Sequence, residues 1–190
     1  MHKMTKRIFF YLLISFVAFS VTSCDDDDPE IPVEPELITT LTYTLTPSDG
    51  GDAVIMSFQD LDGDGGNAPT IIGGTLAANQ SYSGRLVLLN ELESPAEDIS
   101  DEIGTEAADE HQFFFESTIN DLTVAYNDTD GDGNPVGLQS TLTTGAATTG
   151  TMTIILRHLP NKSASNVSAG DITNAGGETD IEVTFPIDVQ

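Results

Sequence analysis

Two stretches of this chain repeat one arrangement of carboxylates. Asp60-Leu61-Asp62-Gly63-Asp64-Gly65 and Asp128-Thr129-Asp130-Gly131-Asp132-Gly133 each place three acids on alternate residues with glycine between and after them. Calcium takes roughly six to eight oxygen ligands, which three carboxylates together with carbonyls and water can supply. Three acids within five residues also repel one another unless a cation offsets them. These six aspartates, Asp60, Asp62, Asp64, Asp128, Asp130 and Asp132, are therefore the candidate calcium ligands. A helix-flanked calcium loop would also need Glu at its last position, where Ile71 and Gln139 stand, so neither is an EF-hand. The alternative is a pair of hairpin turns built from Asp and Gly because both residues tolerate turn conformations.

Beyond residue 23 the chain has two histidines. His111 follows Glu110 and opens the run Gln112-Phe113-Phe114-Phe115, while His158 closes an apolar run ending Leu156-Arg157. With carboxylates from Glu91, Glu106 or Glu110 they make a reasonable ligand set for zinc or another transition metal. No close His-x-x-His pair supports that chemistry, and pairing of each histidine with a neighbouring carboxylate is the alternative. Catalytic patterns are poorer still. There is no G-x-S-x-G, no phosphate loop, and no cysteine other than Cys24. Trp is absent and aromatics are 7%, which argues against a stacking cleft for sugars. The expectation is that the protein is not an enzyme.

These residues must be positioned by strands. Leu41, Tyr43 and Leu45 alternate with threonines, and the same period of two recurs at Val54, Met56 and Phe58, at Leu86 and Leu88, at Leu122, Val124 and Tyr126, at Met152, Ile154 and Leu156, and at Ile181, Val183 and Phe185. The pattern predicts an all-β, antiparallel, immunoglobulin-like β-sandwich of seven to nine strands over residues 37–190. Ser94-Pro95-Ala96-Glu97 has the form of a capping box with proline at the first helical position, so one inserted helix is expected over about 95–110, with Ile99, Ile103 and Ala107 on its apolar stripe. Ser57–Gly65 matches Ala125–Gly133 at an offset of 68, and Thr75-Leu76, Gly84, Leu86 and Leu88 match Thr141-Leu142, Gly150, Met152 and Ile154 at 66. An internal duplication of strand, Asp-rich turn, strand, strand is the expectation.

The amino-terminal residues give an address. Lys3, Lys6 and Arg7 precede an apolar stretch from Ile8 to Val21, which has the length of a signal-peptide core rather than a membrane span. Val21-Thr22-Ser23-Cys24 resembles the bacterial lipobox, so residues 1–23 read as a lipoprotein signal peptide and Cys24 as the acylated residue. Residues 24–36 carry seven acids and three prolines and form an expected tether of about 35 Å when extended. An acidic run directly after the cysteine resembles the surface-export signal of Bacteroidota lipoproteins. Without residues 1–23 the chain keeps three bases against 31 acids, a formal charge of −28, which excludes a groove for nucleic acid.

Leu88-Leu89-Asn90-Glu91, Ser94-Pro95-Ala96-Glu97-Asp98-Ile99, Glu110-His111-Gln112-Phe113-Phe114, Leu156-Arg157-His158, Pro160-Asn161-Lys162 and Gly176-Gly177-Glu178-Thr179-Asp180, together with the lipobox and acidic tether, resemble a group of small flavobacterial lipoproteins often labelled as type 1 periplasmic-binding-fold proteins. The resemblance covers nearly the whole chain, and its motifs bring no catalytic or binding role with them. A type 1 periplasmic binding protein has two α/β lobes, which alternating strands and a single helix do not build. The expected protein is thus an outer-membrane lipoprotein exposed at the cell surface. It would bind a ligand or metal as an accessory to an outer-membrane transporter. A structural or adhesive role without a small-molecule ligand is the alternative.

Overall fold

The computed structural model describes residues 36–63 and 65–190. The signal peptide, Cys24 and the tether as far as residue 35 lie outside the described residues, as does Asp64. Eleven strands and one helix follow in order: β1 (Thr40–Pro47), β2 (Val54–Gln59), β3 (Thr70–Ile72), β4 (Gly74–Leu76), β5 (Ser81–Asn90), β6 (Glu97–Asp98), α1 (Ile99–Thr105), β7 (His111–Ser117), β8 (Thr123–Tyr126), β9 (Gln139–Thr143), β10 (Thr148–His158) and β11 (Glu178–Val189). They form the expected antiparallel β-sandwich. One sheet runs β3-β2-β1-β5-β9-β8 with β6 paired to β5, and the other runs β4-β11-β10-β7. The strands beyond the expected seven to nine are short pieces, β3, β4 and β6, of three, three and two residues. β4 leaves the first sheet and pairs parallel with β11, the one parallel contact among the described strands.

The alternation read in the sequence is the inner face. Leu41, Tyr43 and Leu45 of β1 are fully buried, as are Leu88 of β5, Ile154 and Leu156 of β10 and Phe185 of β11. Burial of such side chains, at about 25 cal/mol per Å² of apolar surface, is what holds the two sheets together. The threonines between them face outward and suit a pleated, half-wet surface. Gly84 has a specific reason: a Cβ there would lie 2.5 Å from both the Ser140 and Tyr43 hydroxyl oxygens. Its absence lets the Tyr43 ring cross β5, so that the two hydroxyls meet at 2.7 Å in the core. Burial pushes the Tyr43 phenol up to about 12, against the opposing hydrogen bond to Ser140. Tyr43→Phe strands the Ser140 hydroxyl in the core and should lower stability by about 1–3 kcal/mol, measured by equilibrium denaturation.

The helix is shorter than expected, over Ile99–Thr105 rather than 95–110. Its amino terminus is not set by Ser94. Glu97 and Asp98 pair with Asn90 and Leu89 of β5, so their backbone is extended, and the Asp98 carboxylate caps the helix by accepting from the Asp101 N–H. Ile99 and Ile103 are buried as the stripe requires, and Ser100 Oγ accepts from the Leu88 N–H at 2.6 Å to dock the helix on β5. The chain leaves the helix at Glu106, so Asp109 and Glu110 lie beyond it and escape the unfavourable end of its dipole.

β7 is buried on both faces. Phe113 joins the main core, whereas Phe114 packs on the other side with Ile155, Val167 and Ala175. The residues between β10 and β11 supply that second layer through two 3-10 turns, Val167–Ala169 and Ile172–Asn174. This segment caps the outer face of the smaller sheet at its β7 edge, and Gln112 Nε2 donates to the Val167 carbonyl at 2.8 Å beneath it.

Candidate functional site

Pairing of β7 with β10 sets His111 directly opposite His158. Their rings stack with centroids 4.9 Å apart and planes 14° from parallel. Both are enclosed, with side-chain exposures of 3% and 10%. The next strand contributes a carboxylate by an irregularity. Leu156 pairs with Ile181 and Arg157 with Thr179, so Asp180 is the extra residue of a β-bulge on β11. A bulge re-aims its side chain. Asp180 turns inward, is 1% exposed, and brings Oδ2 to 3.5 Å from His111 Nε2. Glu36 approaches the same nitrogen at 3.8 Å, and Glu110 stands 3.8 Å from His158 Nε2.

The proton arrangement of His111 follows from its other nitrogen. Nδ1 donates to the Ala107 carbonyl at 3.0 Å, leaving Nε2 to face Asp180 and Glu36. A neutral ring would present a bare lone pair to two carboxylates. An imidazolium presents a donor. Burial opposes charge on this ring, but the Asp180 carboxylate, the Ala107 carbonyl and the Glu36 charge outweigh it and hold His111 above its ordinary value. The Glu36 carboxyl is also pushed up, first by burial, against the attraction of His111.

Of the expected metal ligands, the structure unites His111, His158 and Glu110. Glu91 instead accepts from Gln59 Nε2 at 2.6 Å, and Glu106 is the exposed residue that ends the helix. Neither is paired with a histidine, because β5 and the end of α1 direct them elsewhere. Glu36 and Asp180 were not among the expected ligands. Glu36 falls at the last position assigned to the tether, and it belongs to the folded body. Among the described residues no three His, Cys, Asp or Glu side chains gather into a group suited to a metal ion.

The paired Asp loops also differ from the convergent cage their spacing suggests. In the first, Asp60 Oδ1 accepts from the Asp62 and Gly63 N–H groups, and Asp62 Oδ2 accepts from Asn67 N and Nδ2. Those bonds hold the exposed Asp62 carboxyl below its ordinary value. In the second, Asp128 takes the Gly137 and Gln139 N–H groups, while Asp130 Oδ1 takes those of Asp132 and Asn134. Each described carboxylate except Asp132 thus shapes its turn by capping amides.

The second loop also has its own counter-ion. Lys162 Nζ lies 3.0 Å from Asp130 Oδ2 and donates to the Ala108 carbonyl at 2.6 Å, with side chains 5% and 1% exposed. Burial raises the Asp130 carboxyl, yet the Lys162 hydrogen bond and the Asn134 amide outweigh it and leave it below its ordinary value. One signal for this pair was present in the sequence. Lys162 is among only three bases after residue 23, and a lone cation in so acidic a chain has few reasons to be buried.

No family model matches the chain, and no curated protein matches it. A solved structure, the crystal structure of the S-layer protein SbsC domains 4 and 5, is similar over 77% of this chain and 75% of its own, at 14% identity and a TM-score of 0.32.

Proposed function

We propose that the protein is a lipoprotein anchored in the outer membrane through acylated Cys24 and exposed at the cell surface, where its sandwich serves as a structural or adhesive module. The lipobox and the acidic residues after Cys24 support the address. One observation carries the role: among the described candidate ligands, both histidines and the buried aspartate of the second loop face partners from the same chain. Asp130 holds Lys162, His111 faces Asp180 and Glu36, and His158 faces Glu110. Their chemistry is used to fasten strands and loops to one another.

A second reading, an accessory that captures a transition metal for an uptake system, is favoured by Asp180 Oδ2 and Glu36 Oε2, buried oxygens that receive no hydrogen bond. Metal titration separates the two. A ligand present at about 100 times its Kd stabilises the folded state by about 2.7 kcal/mol, which moves the melting temperature of a domain this size by several degrees. The full-length chain should show no such shift with zinc or calcium, and none on adding chelator. A zinc-dependent rise abolished by His111→Ala would replace the structural role by capture. A calcium-dependent rise would instead restore the Asp loops as ion sites.

A further inference from the structure

The two margins of the larger sheet differ. At one, β8 exposes Thr123 and Ala125, while at the other β3 and its neighbour β2 expose three isoleucines. Ile55, Ile71 and Ile72 are 57%, 41% and 55% exposed. The register explains how they gather. Ile72 lies opposite Ser57, so it shares the outer face with its diagonal neighbour Ile55, while Ile71 lies opposite Phe58 and faces the core side without being covered. Single apolar side chains scattered on a surface are ordinary, but three at one strand margin mark a contact. The backbone there is open as well. Among the described backbone hydrogen bonds, none beyond the ladder with β2 reaches Thr70, Ile71 or Ile72.

We propose that a second copy of the chain docks at this margin, its β3 pairing antiparallel with β3 of the first about a two-fold axis through Ile71. Charge is the first observation that chooses this occupant. Beyond residue 23 the chain carries a formal charge of −28, so two copies repel at close approach unless the contact itself is free of acids. No acid occurs from Ala53 to Gln59 or from Gly65 to Asn90, stretches that contain β2 and β3 whole. The nearest base along the sheet is Arg85 of β5, three strands away from β3. A charged partner finds no counter-charge on this edge, whereas an edge equally neutral and apolar matches it. The second observation is self-complementarity. The axis sets Ile71 against its mate and Thr70 against Ile72 of the other copy, so identical edges supply both the open ladder and the apolar pairs. It also sends the two turns that hold Asp60 and Asp62 to opposite ends of the joined strands, where parallel pairing would set them side by side.

A three-residue ladder is short, so the contact belongs with the weak class that buries less than about 1,200 Å². Salt gives it a sign. Screening confines the repulsion between the acids of the two copies to about 8 Å at physiological ionic strength and leaves the apolar pairs untouched, so association should strengthen as salt is raised. Attraction to an oppositely charged partner would weaken instead. The proposal goes beyond the structural role and needs neither the histidine pole nor the membrane address.

The test traps the contact with a disulfide in the full-length chain, held in nonionic detergent and carrying Cys24→Ser so that an introduced thiol is the only one. Directly opposed residues of an antiparallel pair have Cα atoms about 4.5–5.5 Å apart, within the reach of a disulfide. Ile71→Cys should therefore link to its own copy, and Thr70→Cys chains mixed with Ile72→Cys chains should link to each other. Thr70→Cys alone and Thr123→Cys at the β8 margin should stay unlinked. Linkage at Ile71→Cys should rise with salt. Adding Ile72→Asp should cut that linkage about tenfold, since the axis applies the change twice. The Ile72 side chain is more than half exposed, so the melting temperature should hold in that variant. No linkage at Ile71→Cys, equal linkage at Thr123→Cys, linkage of Thr70→Cys alone, a fall with salt, or linkage unmoved by Ile72→Asp would each overturn the proposal.

Discussion

Replacing Lys162 with alanine is expected to destabilise the domain by about 3–5 kcal/mol, because it leaves the Asp130 carboxylate buried without its counter-charge. The geometry makes this a severe case. Lys162 Nζ joins two elements, the Ala108 carbonyl after α1 and Asp130 in the second Asp loop, and almost none of either side chain reaches water. No other base is positioned to replace it in a chain whose folded part has only Arg85 and Arg157 besides. Salt should not rescue the variant, since screening acts poorly on a buried pair. Lys162→Met with Asp130→Asn should recover part of the loss, because what is costly is the unpaired charge. The acid limb of the stability curve gives a second check. Asp130 lies below its ordinary value, so its contribution is complete above about 3.9 and fades as pH falls through the folded value. Without Lys162 burial gains weight, and loss of stability should begin at higher pH. Equilibrium denaturation across pH measures both effects.

The second large effect is expected at Phe114. Phe114→Ala should remove about 3–5 kcal/mol, the range for an aromatic deleted from a packed site that cannot collapse. The residue is fully buried beneath the cap, where Ile155, Val167 and Ala175 complete its buried cluster and Ala164 and Ile172 pack against it. So small a cluster has no reserve. The cap that Phe114 seats also carries Lys162, and its backbone is tied down where the Asn161 N–H donates to the Ala175 carbonyl. Losing Phe114 should therefore loosen the grip of Lys162 on Asp130. Combining Phe114→Ala with Lys162→Ala should cost less than the sum of the single variants, and a double-mutant cycle reads that coupling.

The sequence made the sandwich legible because burial on one face of a strand imposes a period of two, and Leu41, Tyr43 and Leu45 obey it without exception. It made the helix legible through Ile99 and Ile103, which repeat at helical spacing. The helix start was not legible. Ser94 to Glu97 satisfies a local capping pattern, but pairing of Glu97 and Asp98 with β5 overrides it, and strand pairing across distant residues leaves no local mark. The histidine pole was half legible. His111 and His158 end strands that proved to be neighbours in register, and Glu110 follows by adjacency. Asp180 was hidden because a bulge reverses the face that simple alternation would give it, and Glu36 because acids and prolines before it resemble unpacked chain. The Asp loops show the reverse difficulty. Their two sequences are nearly the same, yet Asp130 is buried against Lys162 while Asp60 is half-buried and Asp62 faces water. Burial of one copy is decided by the cap, which the repeat itself does not contain.

The position of β1 matters once the domain is considered under load. A pull on the chain from its amino-terminal side reaches the fold at Thr39 and then runs along β1. That strand lies inside its sheet, with β2 on one side and β5 on the other, paired to them from Thr40 to Leu45 and from Thr40 to Pro47. Force directed along its axis acts on both ladders at once, in shear, so that many hydrogen bonds must yield together and cannot open one after another from an end. A strand at the sheet margin would peel. A pull from the amino-terminal side would thus meet resistance from two ladders of the larger sheet together.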